Sequence, residues 1–185
     1  MTLDPKLHRL DRLDGLAPAF RTRVVTTLEA CEARGVIIRI TYGERSPHDQ
    51  ARLWRRSRTA AQVREAIAML TDRRAPWLAS VLDGVGPQPD GPWATNALPG
   101  MSWHQHGEGV DGAWMVDGPD ADTLTDDVSW DTSPSSGYRV WREEGIAAGL
   151  CRGPERDWAH LQGLAASAPP YSWPVLDGMM RERWA

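Results

Sequence analysis

The sequence predicts an α+β fold, with a small antiparallel sheet and helices mainly on one face of it. Helices are indicated by an apolar stripe at Phe20, Val24, Leu28 and Cys31, whose spacing places these side chains on one helix face. Strands are indicated by two runs rich in β-branched and aromatic residues. The chain has 185 residues. Since this is the length of about one domain, we expect a single domain over 1–185.

Local signals place the elements along the chain. Gly35 ends the first helix, Ser46 caps the helix that begins at Pro47, and Thr59 with Gln62 forms a capping box. The predicted elements in order are a helix 17–34, a strand 36–42, helices from 47 and 60, a short helix 77–82, a Gly- and Pro-rich loop 84–100, a strand 109–116, an acidic insertion of about 117–137, a helix 138–149, a strand 157–162 and a C-terminal helix.

Composition excludes several classes of protein. The net charge is −4, so nucleic acid is not an expected partner. No apolar stretch is long enough to span a bilayer, and the first residues mix acids and bases without an apolar signal segment. Two cysteines are too few for a disulfide scaffold. We expect Cys31 and Cys151 to be reduced core residues, with a single disulfide as the alternative.

Two short segments could carry chemistry. His104 precedes Asp111 by seven residues, and Asp157 precedes His160 by three. Two imidazoles and one carboxylate are a suitable set of zinc ligands, because they leave the fourth tetrahedral position open for water. The remaining carboxylate would then be available as a base. From spacing alone, ordinary hydrogen-bonded histidines remain the alternative.

These segments resemble a known family in three separate places. Ser102, His104, Gly107 and Asp111 form the pattern S-x-H-x-x-G-x-x-x-D, and Asp157 with His160 forms D-x-x-H. The upstream segment TYGERSPHDQARLW is similar to the G-x-R-S segment of the same family. The family comprises the zinc-dependent peptidoglycan peptidases (peptidase family M15), which include D-alanyl-D-alanine carboxypeptidases and L-alanyl-D-glutamate endolysin peptidases. The resemblance covers most of the chain, residues 20–163, and implies a hedgehog/DD-peptidase-like fold.

The resemblance also implies roles for individual residues. His104, Asp111 and His160 would bind Zn²⁺, Asp157 would be the general base, and Arg45 would hold the substrate and stabilise the oxyanion. The candidate substrate-binding residues are Ser102, Gln50, Trp158 and His106. His106 is interpreted as a hydrogen-bonding residue of the cleft wall, with metal ligation as the alternative.

Two positions depart from the family pattern. Gly109 stands where the family usually has alanine, and Ala159 stands where many members have proline. Residues three apart in a flat strand face opposite sides. Loss of the proline therefore leaves open how Asp157 and His160 would both face the site.

We expect a zinc metallopeptidase that hydrolyses the stem peptides of peptidoglycan. An aspartate base resembles the L-alanyl-D-glutamate endopeptidases, while D-alanyl-D-alanine carboxypeptidase activity is the alternative. A non-catalytic zinc-binding module and a tryptophan-rich glycan-binding module are the alternatives from other classes. We expect a monomer that is made in the cytoplasm without a signal peptide. It would reach the cell wall by holin-type release or specialised secretion.

Overall fold

The computed structural model describes residues 3–89, 91–92, 94–116, 128–129, 131, 133 and 136–185. Of the predicted acidic insertion, residues 117–127, 130, 132 and 134–135 lie outside the described residues. The helices are α1 (Pro5–His8), α2 (Pro18–Ala33), α3 (Pro47–Arg55), α4 (Ala60–Asp72), α5 (Pro76–Gly84), α6 (Gly137–Ala147) and α7 (Trp173–Trp184), with 3₁₀ turns at Leu10–Leu13 and Trp103–His106. The strands are β1 (Ile37–Tyr42), β2 (Gly109–Met115), β3 (Val128–Ser129), β4 (Cys151–Arg152) and β5 (His160–Gln162).

The described chain forms two compact units. One comprises 1–44 and 106–167, and the other comprises 45–105 and 168–185. The first unit contains a five-stranded sheet in the order β1-β2-β5-β4, with β3 pairing β2, and every pairing is antiparallel. The α+β class and the small antiparallel sheet are therefore confirmed.

The apolar stripe of α2 forms much of the core of the first unit. Phe20, Val24, Leu28 and Cys31 are all fully buried, as their spacing predicts, and they cluster with strand residues such as Ile38. Gly35 follows the helix with a φ of +74°. This left-handed conformation is the one that glycine adopts most readily. Gly35 therefore ends α2, as predicted, and β1 begins two residues later at Ile37.

The second unit is helical in its described part. The Ser46 hydroxyl accepts a hydrogen bond from the Asp49 amide at 3.1 Å, and Thr59 forms the predicted capping box with Gln62. Asp177 of α7 is buried and accepts a hydrogen bond from the Leu78 amide of α5 at 2.8 Å. Caps that depend on neighbours in sequence were therefore predictable, whereas the cap from α7 was not. No described helix has the length and apolar character needed to cross a bilayer.

The last strand is shorter than the sequence predicts. The predicted strand 157–162 begins only at His160, because two turns precede it. The amide of Asp157 donates to the Pro154 carbonyl at 2.9 Å, and the amide of His160 donates to the Asp157 carbonyl at 3.3 Å.

Cys151 also differs from the prediction: it is free and only partly buried in β4, while Cys31 is free and buried. The short elements α1, β3 and β4 were not predicted.

Candidate metal centre

Asp111 and His160 lie opposite each other on neighbouring strands. Asp111 of β2 pairs with His160 of β5. The side chains meet on one face of the sheet, with Nδ1 of His160 2.8 Å from Oδ1 of Asp111. The pairing of β1 with β2 shifts register between Ile40 and Tyr42, beside Asp111. Such bulges commonly redirect a side chain next to a functional site.

Gln162 determines how the His160 ring is used. The side-chain amide of Gln162 donates to the carbonyls of Leu164 and Ala166, at 2.5 and 2.8 Å. Because carbonyls only accept, this fixes the amide orientation and places Oε1 of Gln162 towards Nε2 of His160, at 3.2 Å. Nε2 must then carry the hydrogen. Nδ1 is left as the nitrogen for a metal.

The groups around His160 act on its pKa in opposite directions. Burial alone would lower the pKa of His160. The hydrogen bond and charge of Asp111, the charge of Asp157 and the hydrogen bond to Gln162 together raise this pKa above its usual value. Nδ1 of His160 and Oδ1 of Asp111, 2.8 Å apart, are thus two neighbouring atoms to which a cation could bind.

His104 supplies a third donor. It lies in the 3₁₀ turn Trp103–His106 and is buried. One side-chain donor atom from each of His104, Asp111 and His160 lies within 4.8 Å of the others, and this group could hold a metal ion. Two imidazole nitrogens and one carboxylate oxygen match the donor set of zinc sites that keep an open position. The chemistry of the donors therefore fits the expected Zn²⁺, while the identity of the metal stays a prediction.

Asp157 is exposed and precedes His160 by one turn. The flat-strand argument against Asp157 and His160 facing the same side does not apply, because 157–160 contains a turn. The Ala159 carbonyl accepts hydrogen bonds from the Gly112 amide and from Nε1 of Trp141, each at 3.0 Å. The charge of Asp157 acts on His160. Asp157 and His160 thus belong to one short segment made of a turn and the start of β5.

Arg45 follows β1, and Gln50 supports it. The backbone amide of Arg45 donates to the His104 carbonyl at 3.2 Å. Nη1 of Arg45 donates to Oε1 of Gln50 at 3.1 Å. Gln50 is fully buried and also donates to the Ala97 carbonyl at 2.8 Å. Gln50 therefore contacts the Arg45 side chain directly, and its role as a substrate contact stays a prediction.

The remaining predicted substrate-binding residues, Ser102, His106 and Trp158, are all partly buried. Ser102 and His106 are partly buried near the two ends of the 3₁₀ turn, and the Ser102 amide donates to Oε1 of Gln105 at 3.3 Å. Trp158 is partly buried, and its ring lies 4.1 Å from the guanidinium carbon of Arg142. The contact to Arg142 gives Trp158 a structural partner within the protein.

Two residues with clear contacts to the site were missed from the sequence. Gln162 stands two positions after His160, and residues two apart in a strand share a face. That signal could have identified it. Arg142 contacts the segment before His160 from α6. No local pattern predicts such a long-range contact.

The fold and the site define this chain as an α+β protein with a buried His₂Asp group able to hold a metal. The chain matches no protein-family model and no curated protein.

Proposed function

We propose that the protein is a zinc peptidase of hedgehog/DD-peptidase-like fold that hydrolyses stem peptides of peptidoglycan. The observation that supports this most is the grouping of His104, Asp111 and His160, with the Asp157 carboxylate one turn before His160. A site that only binds metal for stability does not need the additional exposed acid. The motif resemblance supplies the substrate class.

The chain's own residues would carry the hydrolysis as follows. A bound zinc ion would supply Lewis acidity and lower the pKa of water towards about 7. Asp157 accepts one proton from the attacking water and returns it to the amine as the carbon–nitrogen bond breaks, so the proton balance closes. The guanidinium of Arg45, oriented by Gln50, donates to the developing oxyanion.

Within this class we propose an L-alanyl-D-glutamate endopeptidase, because the base is an aspartate as in the endolysin-type peptidases. The products would then be a fragment that ends in L-alanine and a fragment with a new D-glutamate amino terminus. Release of D-alanine would instead assign the chain to the carboxypeptidases.

The test combines metal analysis with digestion of defined muropeptides, read by mass spectrometry. One zinc per chain and a new D-glutamate amino terminus are expected. The Asp157→Asn variant should keep its zinc and lose hydrolysis, while the His160→Ala variant should lose both. Full zinc occupancy with no cleavage by the wild type would mean a non-catalytic zinc module. A folded protein that takes up no zinc and cleaves nothing would overturn the proposal.

A further inference from the structure

Arg142 places a buried guanidinium against the segment that carries Asp157. Arg142 lies on α6 and is only 5% exposed. Nη2 donates to the carbonyl of Asp157 at 2.5 Å and to that of Pro154 at 3.4 Å. Nη1 lies 3.5 Å from the carbonyl of Glu155. One side chain therefore contacts three carbonyls within four consecutive residues.

The carbonyls of Pro154 and Asp157 are the ones that close the two turns. Each also accepts the backbone amide three residues later, from Asp157 and from His160. A charged donor strengthens hydrogen bonds to the carbonyls it contacts. Because Nη2 reaches both, Arg142 holds the two turns in a fixed relation to each other. The second turn is the one that joins the proposed base to a metal ligand.

Two further contacts hold Arg142 and the segment in place. The guanidinium carbon lies 4.1 Å from the Trp158 ring, a cation–π geometry. The preceding residue, Trp141, donates to the Ala159 carbonyl. Consecutive residues of α6 thus bind the segment on both sides of Trp158. Burial and the charge of Arg152 lower the pKa of Arg142, and the charge of Asp157 opposes this shift.

We propose that Arg142 is a positioning residue that fixes the turns over 154–160 and so aims the Asp157 carboxylate at the reacting water. This rests on the proposed function, in which Asp157 is the base. A proline at 159 would restrict the backbone itself, whereas here α6 provides the restraint through side-chain donors. Lysine cannot replace Arg142 fully, because a single ammonium cannot keep the Nη2 contacts, the Nη1 contact to the Glu155 carbonyl and the planar contact with the Trp158 ring together.

The test uses Arg142→Gln and Arg142→Lys on the full-length protein, with Arg156→Gln as the matched control. Arg156 lies in the same segment but is exposed. Hydrogen exchange of the Asp157 and His160 amides is measured by NMR, and zinc affinity, kcat and KM are measured in parallel. Both Arg142 variants should speed exchange at these two amides and leave the amides of α2 unchanged. A displaced base should lower kcat by about 100-fold with little change in KM or zinc affinity.

The outcomes separate the two proposals. Unchanged hydrogen exchange at both amides in a folded Arg142→Gln variant would show that Arg142 does not hold the two turns. Faster exchange with unchanged kcat would overturn the positioning of the base. If Arg142→Gln does not fold, Arg142→Lys retains the charge and decides the same two measurements. If the wild type hydrolyses nothing, the proposed function fails, and with it the role in aiming Asp157. Exchange alone then decides whether Arg142 holds the turns.

Discussion

Nε2 of His160 lies 3.2 Å from Oε1 of Gln162, and two backbone carbonyls hold the Gln162 amide in that orientation. Ligand histidines in metalloproteins usually donate their second ring nitrogen to such an acceptor. The acceptor fixes the tautomer and keeps the ring in place. The hydrogen bond with Gln162 therefore leaves Nδ1 as the ring nitrogen of His160 that could bind a metal.

We predict that Gln162→Leu weakens zinc binding by about 10–100-fold, the usual cost of losing such a partner. Competition with a chromophoric chelator measures the dissociation constant. The matched control is Gln88→Leu, because the Gln88 amide donates to the carbonyls of 85–87 in its own loop. Equal affinities in the two variants would show that Gln162 does not orient the ligand.

Zinc should stabilise the folded protein. If the ion binds only the folded state, a free concentration 100 times the dissociation constant adds about 2.7 kcal/mol to the free energy of unfolding. Urea titrations with zinc and with a chelator measure this difference. Asp111→Asn removes the charged oxygen donor and should abolish the difference. A zinc effect of the same size in that variant would mean that the metal binds elsewhere.

Gly145 is required by close packing between α6 and β5. A Cβ at this position would lie 2.5 Å from Cδ1 of Leu161, a fully buried side chain. Gly145→Ala should therefore lower the free energy of unfolding by about 1–3 kcal/mol. Urea denaturation measures it. The matched substitution is Gly178→Ala in α7, where nothing lies within 4 Å of the added methyl group. That variant should gain about 0.5–1 kcal/mol, because alanine is the better helix former. A loss of stability in both would contradict the packing argument.

The two cysteines should differ in reactivity. Burial, with a contribution from the charge of Glu144, raises the pKa of the Cys31 thiol to about 12. Since only the thiolate reacts, native protein at pH 8 should be alkylated by iodoacetamide at Cys151 and not at Cys31. Mass spectrometry of the peptides distinguishes the sites, and urea should expose both. Native Cys151→Ser should stay unlabelled, and labelling of Cys31 in that variant would show that the helix α2 opens.

Sequence reasoning succeeded where the cause is local. Ser46 and Thr59 cap their helices through atoms three residues away, and such contacts are visible in the sequence. The sequence predicts a strand over 157–162, but the strand begins at His160 and turns precede it. These turns depend on donors from Trp141 and Arg142, more than ten residues earlier. The three residues that the family resemblance suggested as ligands lie close together, whereas the resemblance did not point to Gln162 or Arg142.

The pairing of β2 with β5 has a kinetic consequence. Asp111 and His160 are 49 positions apart in the chain, and they meet only through this strand pairing. Closing a loop of that length is entropically costly and is a late, non-local event in folding. A chain that has not paired these strands does not bring Asp111 and His160 together. During refolding, zinc uptake at this site should therefore be no faster than the pairing of β2 with β5. The rate of zinc uptake would then give an upper limit for the time that this pairing takes.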